Sequence, residues 1–156
     1  MKVRYIYSAC IEIETHNKLR ILCDPWFTEG IYDGSWYHYP EIRNPLKILK
    51  EPDIIYISHI HPDHYDPNFL KELFRKFGKK KIIIPDIKKN YLFFKAKFDG
   101  IETTPTKHLR LKGVNIHLMS NTTGSESDID SALIVNDGKS TILNLNDCIW
   151  NGSHSR

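Results

Sequence analysis

The stretch Asp53-Ile54-Ile55-Tyr56-Ile57-Ser58-His59-Ile60-His61-Pro62-Asp63-His64 decides how this chain reads. Its first part is a short apolar, β-branched run of the kind that forms a strand buried on both faces. Its second part places three histidines and one aspartate within six positions, although histidine accounts for only 8 of the 156 residues. Imidazole and carboxylate are good ligands for borderline divalent ions such as zinc, iron or manganese. His59 and His61 can aim at one ion, while Asp63 and His64 just beyond can reach a second. A histidine-rich surface loop without metal is the plain alternative, and the flanking sequence argues against it.

Downstream, Asp66 suits a helix N-cap, Pro67 the first helical position and Gly78 the C-terminal stop. Between them the apolar residues at 69, 70, 73, 74 and 77 form one helical stripe. The ligand candidates therefore lie between the C-terminal end of a strand and the start of a helix. Open α/β sheets place their active sites there, and a solvated surface loop needs no such scaffold. Lys81-Ile-Ile-Ile84-Pro85 reads as a second buried strand that completes a β-α-β unit.

Upstream, Val3 to Ser8, Cys10 to Thr15 and Leu19 to Asp24 read as strands, with a turn at Asn17-Lys18. A long loop follows from Pro25 to Arg43 and holds Trp26, Phe27, Tyr32, Trp36, Tyr37, His38 and Tyr39. Long loops in compact domains are often functional, and exposed aromatics suit stacking on sugars, bases or apolar tails. A satellite hydrophobic cluster under the loop explains the same composition, so both readings stand. Trp26, Trp36 and Tyr37 are the substrate-binding candidates. Past the β-α-β unit, Asn90 to Phe98 reads as helix. Strands are expected at Ile101 to Thr104, His108 to Leu111, Val114 to Ser120, Ser131 to Val135 and Thr141 to Leu145, with a hairpin turn at Asp137-Gly138.

Composition bounds the remaining possibilities. A chain of this length forms one domain, and 40% hydrophobic with 26% charged residues is ordinary for a soluble protein. The net charge of +3 is small, and a lysine run such as Lys79 to Lys81 with Lys88, Lys89, Lys95 and Lys97 is more often a solvated face, so a nucleic-acid partner is not expected. No signal peptide and no membrane-spanning run stand out, which points to a cytoplasmic protein. The three cysteines, Cys10, Cys23 and Cys148, form no CxxC pair; Cys10 and Cys23 read as core thiols.

Taken together, His59-x-His61-x-Asp63-His64 after an apolar strand, Asp24-Pro25-Trp26 after an earlier strand and Asn146-Asp147-Cys148 after a late one resemble the metallo-β-lactamase-fold metallohydrolases. The three segments together are similar to a narrower branch, the CMP-N-acetylneuraminate hydroxylase-like proteins, and more loosely to the ascorbate-phosphate lactonase and N-acyl phosphatidylethanolamine phospholipase D types. The resemblance implies an αββα sandwich of α+β class and a divalent metal site of one or two ions, with zinc first and iron or manganese as alternatives. It implies that His59 and His61 serve a first ion, Asp63 and His64 a second, and Asp147 both. It also implies that Asp24 orients a ligand histidine from behind, although an Asp-Pro turn alone would explain that residue.

The implied activity is hydrolysis by a metal-activated hydroxide of a phosphoester, phosphodiester, lactone or sugar-nucleotide-type substrate, with Asp63 as the catalytic carboxylate. Two departures from the family pattern bear on that activity. The position for a third histidine falls on Ser120 or Asn121, leaving His117 as the candidate ligand and His108 behind it. The family's last histidine also has no counterpart, because His154 lies in a polar tail. The domain is accordingly expected over 1–150, as the N-terminal half to two thirds of the full fold, with 151–156 a disordered tail. A half-sandwich leaves a sheet edge and an apolar face uncovered, which a second copy or a separate chain would cover. The alternatives to a hydrolase are a metal-binding or assembly protein completed by a partner, and part of a sialic-acid hydroxylase-like oxidoreductase. The latter requires an iron–sulfur module whose Cys/His pairs this chain lacks.

Overall fold

In the computed structural model, which describes residues 1–120 and 130–148, two sheets stack face to face with helices on one outer side. β1 (Lys2–Tyr7), β2 (Cys10–Glu14) and β3 (Arg20–Cys23) form an antiparallel meander. After the 24–53 connection, β4 (Ile54–Tyr56) pairs parallel with β3. Within that connection lie one short turn, α1 (Ile31–Gly34), and another, α2 (Pro45–Ile48). Helix α3 (Pro67–Phe77) then crosses to β5 (Lys81–Pro85), and helix α4 (Tyr91–Phe98) to β6 (Thr104–Thr106), giving a six-stranded sheet in the order β1 to β6. A second, antiparallel sheet is built from β7 (His108–Leu111), β8 (Val114–Ser120), β9 (Ser131–Asn136) and β10 (Thr141–Asn144).

The two-faced burial of β4 follows from its composition. Ile55 and Ile57 face α3 and α4 in a core with Phe69, Leu70, Leu73, Leu92 and Ala96. Ile54 and Tyr56 face the second sheet, against Val114, Ile116, Leu133 and Val135. Successive strand residues point to opposite faces, so a strand sandwiched between helices and another sheet must be apolar throughout. Helix α3 is bounded as its sequence dictates: the Asp66 carboxylate accepts from Phe69 N at 2.9 Å, and Gly78, at φ 74°, donates to Phe74 O. Leu70 and Leu73 are fully buried; each contributes about 1.5–3 kcal/mol relative to exposure.

Two details depart from expectation. The strand expected at Ile101 begins instead at Thr104. Gly100 ends α4 with φ 74°, and Ile101 folds back to bond Ala96 O and fill the core beneath the helix. The second sheet also has no helical layer on its outer face among the described residues, leaving Met119 and Leu143 exposed. The expected tail at 151–156, with His154, lies outside the described residues, as does Asn121.

Candidate metal centre

The cluster sits where β4 ends at the rim of both sheets. Backbone bonds anchor the turn: Ile57 N donates to Ile83 O, and both His64 N and Tyr65 N donate to His61 O. Asp66 also accepts from Phe27 N, Thr28 N and Thr28 Oγ1, tying the start of α3 to the segment after β3. On the other side, the buried Tyr56 hydroxyl donates to Ser131 O at 2.7 Å, and Asn146 Nδ2 donates to the same carbonyl at 2.9 Å. This network joins the end of β4 to the start of β9 and the end of β10. It thereby sets Asp147 opposite the histidines.

Two ligand triads result. His59, His61 and Asp147 form one, and Asp63, His64 and Asp147 the other; within each, the donor atoms lie within 4.8 Å of one another. His59 Nε2 is 2.8 Å from His61 Nδ1. His64 Nε2 lies 3.4 Å from both Asp63 Oδ2 and Asp147 Oδ2. Asp147 is shared by the two sets, and its side chain is 58% exposed, so the cluster opens to solvent on that side.

Behind each buried histidine stands a buried carboxylate. His64 Nδ1 lies 3.2 Å from Asp24 Oδ2, while Asp24 Oδ1 accepts from Ser58 N at 2.7 Å. His59 Nδ1 lies 3.3 Å from Asp130 Oδ1, which also accepts from Ser131 N. Ser58 Oγ sits between the two rings, 2.9 Å from His59 Nδ1 and 3.1 Å from His64 Nδ1. With Nδ1 facing these acceptors, each ring turns its Nε2 toward the cluster, the arrangement that fixes the tautomer of a metal-ligating histidine. Asp24 Oδ2 and Asp130 Oδ2 have no aligned hydrogen-bond donor among the described residues.

The electrostatics favour positive charge at the cluster. Burial pulls the His64 pKa down, but Asp24 and Asp63 beside it outweigh this and push it up to about 10. Burial raises Asp63, yet His64 and the Tyr32 hydroxyl hold it below the usual carboxylate range. Convergent imidazole and carboxylate donors amid excess negative charge suit a divalent ion of the borderline class. By contrast, burial pushes the Cys148 thiol up to about 12, with Asp130 adding to the effect. Cys10 and Cys23 are buried core thiols.

The structure thus brings together His59, His61, Asp63, His64 and Asp147, with Asp24 behind them. His117 is not brought to the cluster. Ile116 and Leu118 face the core, so strand alternation turns His117 outward, where its exposed ring stacks on His108 with centroids 4.3 Å apart. His16 pairs with Asp137 at 2.7 Å and His38 with Glu29 at 2.9 Å. Three residues of the site carry little signal in the sequence: Ser58, Asp130 and Tyr32. Tyr32 Oη donates to Asp63 Oδ1 at 2.6 Å from a distant loop.

That loop satisfies both readings of its aromatic content. Trp26, Phe27 and His38 are buried and packed on one another. Trp36 and Tyr37 are exposed and, with Trp26, Tyr5, Tyr7, Ser8 and Tyr39, line an open cleft of about 540 Å³. The Trp36 ring packs tilted against Tyr32, centroids 5.0 Å apart, so this cleft adjoins the candidate cluster through one pair of rings.

The comparisons with known proteins agree with this geometry. Residues 2–151 match the Beta-lactamase superfamily domain. A protein of Mycobacterium tuberculosis that bears the name Rieske 2Fe-2S iron-sulfur protein is 33% identical over 137 residues, covering 81% of this chain and 26% of its own length. The cytidine monophosphate-N-acetylneuraminic acid hydroxylase of Danio rerio is 29% identical over 151 residues, covering 92% of this chain and 25% of its own. The chain thus spans about a quarter of the length of the curated relatives it matches. Among solved structures, the isothiocyanate hydrolase from Delia radicum gut bacteria superposes with a TM-score of 0.72 at 18% identity, covering 97% of this chain and 64% of that one. The chain belongs to the β-lactamase superfamily domain family, with the metallo-β-lactamase fold present in part.

Proposed function

We propose that this domain is a metal-dependent hydrolase centre in which His59, His61 and Asp147 hold one divalent ion and Asp63, His64 and Asp147 hold a second. The observation that carries this reading is the pair of ligand triads meeting at Asp147. Zinc is the first choice of ion, with iron or manganese accepted by the same donor set. When bound, such ions lower the pKa of a water and polarise the carbonyl or phosphoryl oxygen of the substrate.

The chain's own residues supply the rest. Ser58 Oγ meets Nδ1 of both His59 and His64, with Asp24 and Asp130 standing 3.2 and 3.3 Å behind His64 and His59. Asp63 orients the attacking water or carries its proton, as a carboxylate within reach of the reacting centre can. The exposed Trp36 and Tyr37 offer ring faces to a sugar, base or apolar group of the substrate, with the buried Trp26 packed against Trp36. The substrate class consistent with such a site is a phosphoester, phosphodiester, lactone or sugar-nucleotide-type compound. A test is the hydrolysis of bis(p-nitrophenyl) phosphate and of a simple lactone by zinc-loaded protein. Activity that vanishes in His59→Ala and Asp63→Ala supports the proposal; activity unaltered by both substitutions overturns it.

A second reading comes from the relatives named for a Rieske cluster and a hydroxylase. In it, the domain is the metal-binding part of an oxidoreductase whose iron–sulfur group is held elsewhere. A Rieske centre takes two cysteines and two histidines, and the cysteines here are two buried core thiols and a half-buried Cys148. Metal-loaded chain that hydrolyses neither substrate, but whose bound iron is reduced by an added Rieske-type iron–sulfur protein, would favour that reading over the hydrolase.

A further inference from the structure

We infer that Tyr32 is a positioning residue for the second ion position, holding the Asp63 carboxylate so that one oxygen is turned toward the ion while the other is occupied. This rests on the two-ion reading above. The Tyr32 hydroxyl donates to Asp63 Oδ1 at 2.6 Å, whereas Asp63 Oδ2 is the oxygen that faces His64 Nε2, at 3.4 Å. A carboxylate left to rotate offers either oxygen, or both, to an ion. With Oδ1 committed to a phenol, only Oδ2 remains oriented. Partners of this kind behind a ligand tune metal affinity, and Tyr32 does for Asp63 what Asp24 and Asp130 do for the histidines.

The backbone around Tyr32 is built to present it. Tyr32 and Asp33 both adopt left-handed φ angles, 52° and 55°. A bulky aromatic residue rarely does so outside a functional or strained site. The conformation is held by the loop's own bonds: Gly34 N to Gly30 O, Trp36 N to Ile31 O and Gly30 N to Trp36 O. Gly30 and Gly34 flank the turn at φ 73° and 83°, where a side chain would be strained. Trp36, packed tilted against Tyr32, also lines the aromatic cleft, so the same loop faces the cleft and holds the Asp63 carboxylate.

Co²⁺ titration of the metal-stripped chain, followed by visible absorption, tests this with three proteins. The wild type is expected to take up two ions, and Asp63→Ala one. Tyr32→Phe removes a single oxygen and keeps the ring against Trp36; it is expected to bind the first ion as the wild type does and the second about 10- to 100-fold more weakly, the usual range for a lost outer partner. Two ions in the wild type, one in Asp63→Ala, and unchanged binding of both in Tyr32→Phe overturn this inference alone. Equal weakening of both ions in Tyr32→Phe also overturns it, because that outcome marks a general change in the loop. Fewer than two ions in the wild type, or no effect of Asp63→Ala, overturns the two-ion reading and this inference with it.

Discussion

The two proposed ion positions differ in the outer partners that stand behind their ligands. At the first, His59 is buried and backed by Asp130, while His61 lies two residues further along the turn and is half-buried. At the second, His64 is backed by the fully buried Asp24, and Asp63 is gripped by Tyr32. Each private ligand of the second set thus has its own outer partner within hydrogen-bonding distance or close to it. Only Asp147, more than half exposed, serves both sets. In the proposed centre each set has ligands of its own besides the shared Asp147, so substitutions should separate the two ions.

The largest effect is expected from Asp147→Ala, which takes a donor from both triads. Uptake of both ions should fall, by more than the roughly 100-fold loss typical of an outer partner, and hydrolysis should disappear; calorimetric titration with Zn²⁺ reads this directly. Next come His61→Ala and Asp63→Ala, compared side by side. Each should remove one ion and leave the other, and a loss of both in either variant would show that the positions are not separable. Asp24→Asn is expected to weaken the second ion by about 10- to 100-fold. It should also cost stability, because Asp24 is fully buried and accepts from Ser58 N; disturbing such a group costs about 1–3 kcal/mol, readable in urea denaturation.

The smallest effect on the metals is expected at Asp137, in the turn between β9 and β10. The backbone N–H of His16 is the main cause that holds its carboxyl below the usual range, helped by the His16 ring and by Lys139 N and Ser140 N. A carboxyl depressed in the folded state adds stability above its unfolded value, about pH 4, and that stability is lost as pH falls further. Asp137→Asn should therefore lower the melting temperature at pH 7 and flatten its fall below about pH 4, with metal uptake unchanged. A change in metal uptake would show that the hairpin turn and the site are coupled.

How much of this was legible before the structure follows from the range over which each contact acts. The ligand run from His59 to His64 is contiguous, and the strand before it and the capped helix after it are specified by local composition, so that part reads directly. Asp147 and Asp24 stand at strand ends, where the family pattern places them. Tyr32 and Asp130 do not read, because their partners are 31 and 71 positions away and depend on how the loop and the second sheet dock. His117 misled for a related reason. Alternation fixes that neighbours on β8 face opposite ways, but only packing against the first sheet decides that Ile116 is inward and His117 outward. The start of β6 shifted because Gly100 and Ile101 serve the end of α4 before the chain becomes extended.

The central claim is that two ion positions share Asp147. Elemental analysis combined with native mass spectrometry, on protein dialysed against zinc, tests it most directly. Two ions per chain are expected in the wild type, one in Asp63→Ala and a loss from both positions in Asp147→Ala. No bound ion in the wild type, or full retention in Asp147→Ala, would contradict it.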